Sequence, residues 1–167
     1  MEANFPKSAG AHLSLTTIFH LLKTIPNFTL AGLLLHFGCY DLSELPQFRN
    51  LIQAPIIPQK VSSRFFSAFL PDMSPEEKKS PSVSPFYEDL EKFRGRLPSA
   101  LFTCGTVDPL LDDSVMMSVK WMMAGAEAVV KIYSGAPHGF IGFPHEVLKE
   151  AGEGLLDTKA YIQERLG

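Results

Sequence analysis

Three residues of this chain have the types and settings that nucleophilic acyl chemistry needs. A serine attacks a carbonyl only with a base to take its proton, an acid to orient that base, and N–H donors for the oxyanion. Ser8 lies in "FPKSAGAH" (5–12), followed at once by the small residues Ala9, Gly10 and Ala11. Small residues let a turn pack closely, and a helix opening there aims N–H groups and a positive dipole end at the serine. The N–H of Ala9 would then be one oxyanion donor. Asp108 follows an apolar run in "GTVDPLLDD". A carboxylate at the carboxyl end of a buried strand occupies the place where open α/β sheets hold their sites. His138 lies in "SGAPHGF", where neighbouring glycines let the imidazole approach another loop.

Each residue also has a plainer reading. Serine is a favoured helix N-cap, so S-x-G before a helix is weak evidence by itself. Asp108 can cap a helix that opens at Pro109, and this is compatible with a catalytic role. Asp112 and Asp113 are competing carboxylates, for which a place in a helix's first turn is explanation enough. The other histidines, His12, His20, His36 and His145, read as structural.

The elements that must position these groups follow from periodicity. The 167 residues make one domain. Leu13, Leu15, Ile18, Phe19 and Leu22 recur at helical spacing over 8–23, and Pro26 stops that helix. The continuous apolar run 29–38 fits a strand buried on both faces, and 99–108 has the same character. A helix over 110–126 carries Leu111, Val115, Met116, Val119 and Met122 or Met123 and ends at Gly125. The β-branched run 127–135 is a third strand. A long helix covers 146–166, weakened in its middle by Gly152 and Gly154. Helices between buried strands imply an α/β fold with a parallel sheet.

Residues 43–97 form a proline- and serine-rich stretch too long for a plain connection. Short helices are expected near 60–70 and 87–94. In "VSSRFFSAFL" (61–70) the clustered phenylalanines read first as a core-packing helix, and second as part of a lid over a substrate pocket.

Composition narrows the partners. Hydrophobic residues make up 46% of the chain and the net charge is −3, so there is no basic footprint for nucleic acid. The longest uncharged stretches are broken by Pro, Asn, Gly or His, which excludes a membrane span. The N-terminus has no apolar leader core, so a cytoplasmic protein is expected. Cys39 and Cys104 each end an apolar run and read as buried free thiols, with no metal set and no cofactor fingerprint around them.

Ser8, Asp108 and His138 occur in the order Ser…Asp…His of α/β-hydrolases. "SAGAHLSL" (8–15), "SPSVSPFYEDLEKFRGRLPSALFTCGTVDPLLDDS" (80–114) and "YSGAPHGF" (133–140) resemble, respectively, the nucleophile turn, the acid segment and the histidine loop of one group. The chain resembles the C-terminal part of a hormone-sensitive-lipase-like carboxylesterase. The resemblance implies hydrolysis of small-molecule esters without a cofactor. Ser8 would be the nucleophile, His138 the general base and then acid, and Asp108 the residue that orients His138. It also implies that part of 43–97 caps the acyl pocket.

The sequence departs from that group before Ser8. Pro6-Lys7 stands where Gly-x is expected, no apolar strand precedes the turn, and no His-Gly-Gly oxyanion loop occurs. A partial fold is therefore expected, truncated before the nucleophile turn, with about three parallel strands and without the N-terminal half of the sheet. Asp108 and His138 should lie within hydrogen-bond reach, with Ser8 less well placed. The strand at 29–38 should have a free, apolar edge suited to self-association. An impaired fragment, or a non-catalytic module pairing through that edge, is the alternative reading.

Overall fold

The structure is a computed structural model that describes residues 6–166. Its main elements are α1 (Ala9–Thr24), β1 (Leu33–His36), α2 (Pro46–Asn50), α3 (Gln59–Phe69), β2 (Ala100–Val107), α4 (Leu111–Met123), β3 (Ala128–Pro137) and α5 (Lys149–Leu166). Short 3-10 turns fill much of 77–93 and 140–142. The three strands form one parallel sheet in the order β1-β2-β3. Leu33 pairs with Ala100, and Ala100 with Ala128.

The core lies where α1 and α4 meet the sheet. Ala11, Leu15, Ile18, Phe19 and Leu22 form the inward stripe of α1 and pack with Leu35, Phe93, Phe102 and Trp121. Phe19 stacks on Phe93 at 5.6 Å, and Trp121 meets Phe102 edge-on at 6.1 Å. The Trp121 indole N–H donates to the carbonyl of Pro98 at 2.8 Å, so its one polar atom is satisfied in the core. Both cysteines are buried and free, as their settings predicted. Among the described residues no helix is long and apolar enough to cross a membrane.

Two elements differ from their sequence patterns. β1 is four residues long rather than ten: 29–32 run outside the strand, and past His36 the left-handed φ of 37° at Phe37 turns the chain out of it. The Phe37 N–H still donates to the Thr103 carbonyl, at 2.6 Å. In α4 the apolar stripe faces outward: Val115, Met116, Val119, Met122 and Met123 are exposed. The buried face is Asp113, Ser114, Met117, Ser118 and Trp121. Small serines let this helix approach the sheet closely, and Ser118 returns its hydroxyl to the Val115 carbonyl at 2.7 Å.

β2 and β3 come unusually close at the end that carries the site. A Cβ on Gly105 would lie 1.9 Å from the Ala136 carbonyl oxygen. The register between the strands shifts just beyond this glycine, between Gly105 and Val107. Gly105→Ala should therefore force β3 away from β2 immediately before Asp108 and His138. A destabilisation of about 3 kcal/mol is expected from such overpacking. In a chain of this size that lowers Tm by about 6–12 °C in a thermal melt.

Candidate active site

Ser8 stands at the junction of the sheet and α1. Its backbone has φ 52° and ψ −117°, a conformation L-residues rarely adopt. A side chain held on so sharp a strand-to-helix turn is pushed out from the surrounding backbone. The strain is held on both sides. The Ser8 N–H donates to the His36 carbonyl at 3.0 Å, and Lys7 forms a single parallel bridge with His36 at the end of β1. Beyond the serine, the Ala11 and His12 N–H groups close the first helical turn on the Ser8 carbonyl.

Pro6 fits this turn although a glycine is expected there. The crossing is not tight at this point: a Cβ added to Gly10 would be 3.8 Å from the Pro6 Cβ, ordinary van der Waals contact. The turn is thus closed by one rung at His36 and by an open glycine on the helix side. The residues in which a preceding strand was sought (1–5) lie outside the described residues.

Asp108 follows β2, and His138 follows β3 directly. The His138 Nδ1 lies 2.9 Å from Asp108 Oδ2 and 3.1 Å from Oδ1. Oδ1 also accepts the Leu110 N–H at 2.9 Å, so Asp108 closes the turn that leads into α4 and holds the imidazole at once. A carboxylate facing Nδ1 requires the proton to be there, which leaves Nε2 as an acceptor. That Nε2 is 3.0 Å from Ser8 Oγ. The expectation that Ser8 would be less well placed than the other two is not met: all three side chains form one hydrogen-bonded chain. Asp108 is fully buried and His138 nearly so. Phe37 meets the imidazole edge-on at 5.0 Å and also packs on Phe140, so the residue that ends β1 fixes the ring's tilt. Its sequence context, an apolar run, gave no hint of this contact.

Ala9, the first residue of α1, lines the same pocket as Ser8, and among the described residues no carbonyl accepts its N–H. The pocket has a volume of about 440 Å³ and is bounded by α1, α3, the segment after β1 and Pro109-Leu110. Phe65, Phe66 and Phe69 line it from α3. Phe65 and Phe69 are largely exposed, so α3 is a wall of this pocket rather than the core helix the sequence suggested. Phe66 stacks on Phe48 of α2 at 5.0 Å, which ties the two helices together. His12 also lines the pocket, in contrast to the structural role read from the sequence. His36 is buried against Thr103 at 2.7 Å, and burial pushes its pKa down to about 4. His20 is exposed, and His145 pairs with Glu146 at the surface.

The two competing carboxylates hold the pocket's wall. Asp113 Oδ1 accepts the N–H groups of Tyr40 and Asp41, and Asp112 accepts that of Gln47 at the start of α2. Burial pushes the Asp113 carboxyl up to about 8. A folded pKa above the unfolded one means that the native state holds the extra proton between roughly pH 4 and 8. Stability from this group is therefore greatest in acid and declines as pH rises toward 8. Asp113→Asn keeps an acceptor for both N–H groups without the titration. Denaturant midpoints from pH 5 to 8 should fall less steeply in this variant than in the parent.

A family model of the alpha/beta hydrolase fold matches residues 6–142. The chain belongs to this family. An AB hydrolase superfamily protein of Schizosaccharomyces pombe is 31% identical over 129 residues, covering 75% of this chain and 33% of the relative. A hormone-sensitive lipase from a metagenome library has a TM-score of 0.84 at 22% identity, covering 96% of this chain and 52% of that one. An esterase of Pyrobaculum calidifontis has a TM-score of 0.80 at 24% identity, covering 95% of this chain and 50% of that one. The chain thus spans about a third of the curated relative and about half of these solved structures. Three parallel strands with flanking helices make it a partial α/β-hydrolase fold, as its motifs predicted.

Proposed function

We propose that this chain carries the catalytic side chains of a serine hydrolase that cleaves carboxylic esters. The observation that carries the reading is the unbroken contact from Ser8 Oγ through His138 to Asp108. In this reading His138 Nε2 takes the Ser8 proton as Oγ attacks the ester carbonyl. The oxyanion forms beside the N–H of Ala9 and the N-terminal end of α1. His138 then gives its proton to the departing alcohol, leaving an acyl group on Ser8. Water, deprotonated by His138, releases the acid and restores the serine. Asp108 keeps the proton on Nδ1 throughout, and the α2–α3 part of 43–97 acts as the cap over the apolar pocket. Turnover of p-nitrophenyl butyrate tests the reading. A burst of p-nitrophenol stoichiometric with protein, followed by a slower steady rate, is expected of an acyl-enzyme. Release no faster than in buffer would refute it.

The edge of β1 favours a second, compatible reading. Lys7 bridges only to His36, and among the described residues no other strand pairs with the outer side of Leu33–Leu35. A second copy pairing there would make the protein a dimer. Light scattering at rising concentration tests this; a constant monomer mass would exclude it.

A further inference from the structure

The pocket beside Ser8 is lined mainly by apolar side chains and, besides Ser8, holds two polar groups that no described residue satisfies. α3 turns Ser62, Phe65, Phe66 and Phe69 toward it, the spacing of one helical face. Ser62 is 6% exposed, and its hydroxyl makes no hydrogen bond to any described residue. From α1, His12 enters the same pocket and is 8% exposed. Its Nδ1 lies 2.8 Å from the Cys39 carbonyl. A carbonyl can only accept, so the proton is on Nδ1 and Nε2 is a bare acceptor. Burial lowers the pKa of this ring, which favours the neutral form. Among the described residues Nε2 has no partner.

A plain alkyl or phenyl group filling this pocket would strip water from both groups and give nothing back. Each buried donor or acceptor left unpaired costs about 1–3 kcal/mol. Building on the proposed esterase reading, we infer that the pocket selects esters whose buried portion is an apolar ring or chain carrying a hydroxyl. The hydroxyl donates to His12 Nε2, and Ser62 Oγ supplies a second hydrogen-bonding point. Ser62 and His12 are thus specificity-determining residues on two different helices.

Binding of p-cresol against toluene, measured by ligand-observed NMR titration, tests this without any need for turnover. The two probes differ only in the hydroxyl. In a pocket without polar handles, the hydroxyl is a burden and toluene binds the tighter. Here p-cresol should bind at least as tightly as toluene. Ser62→Ala and His12→Phe should each shift the ratio of dissociation constants about tenfold toward toluene. His12→Phe also loses the bond to Cys39, so Ser62→Ala carries the test if that variant fails to fold. A wild-type preference for toluene of about tenfold, or a ratio unmoved by Ser62→Ala, would overturn the inference. Absent ester turnover by the unsubstituted chain, with its p-cresol to toluene ratio as expected, would refute the catalytic reading and leave the pocket's selectivity standing.

Discussion

Replacing Ser8 with alanine should reduce ester turnover by at least about 10⁴-fold. The expectation follows from placement. Ser8 Oγ is the atom that His138 Nε2 faces at 3.0 Å, and it opens onto the pocket. Alanine removes the nucleophile and leaves the turn's backbone pattern available, since Ser8 holds the turn through its own N–H and carbonyl. The variant should keep its far-ultraviolet circular dichroism. A p-nitrophenyl butyrate rate within tenfold of the parent would show that another group does the chemistry.

Asp108→Asn should be nearly as damaging, for a different reason. Oδ1 of Asp108 is committed to the Leu110 N–H, so asparagine will keep its oxygen there. Its NH₂ then falls at the Oδ2 position, 2.9 Å from His138 Nδ1. An NH₂ is a donor, so Nδ1 must become the acceptor and the imidazole proton moves to Nε2. That nitrogen can no longer take the Ser8 proton. A loss in kcat of about 10⁴-fold is expected from the wrong tautomer alone. The turn leading into α4 keeps its bond to the Leu110 N–H, so Tm should change far less than in Gly105→Ala. Equal losses of activity and stability would instead point to a merely structural Asp108.

These predictions rest on residues legible in the sequence, and the reason is physical. A parallel α/β sheet places its strand ends on one side, so Asp108 after β2 and His138 after β3 were bound to share a neighbourhood. What periodicity could not give was direction. The phenylalanines of 61–70 do mark an apolar face, but an apolar face looks the same whether it meets a core or a pocket. Phe65 and Phe69 meet the pocket. In α4 the larger apolar residues suggested the inner side, yet closeness to the sheet favoured Ser114, Met117 and Ser118.

Pro6 is the other instructive case. Glycine seemed required because strand and helix cross there, but the crossing leaves room: even a Cβ on Gly10 would lie 3.8 Å from the Pro6 Cβ. The single rung between Lys7 and His36 was also beyond reach of the sequence, since no apolar run marks its Lys7 side. The histidines divided by partner rather than by motif. His12 and His36 are both buried, but only His12 opens onto the pocket.

The proposed chemistry makes Ser8 an activated nucleophile. Incubation with a fluorophosphonate, followed by peptide mass spectrometry, tests it most directly. The expected result is one adduct per chain, on the peptide containing Ser8, strongly diminished in Asp108→Asn. No adduct at Ser8, or labelling spread over other serines at a rate indifferent to Asp108, would contradict it.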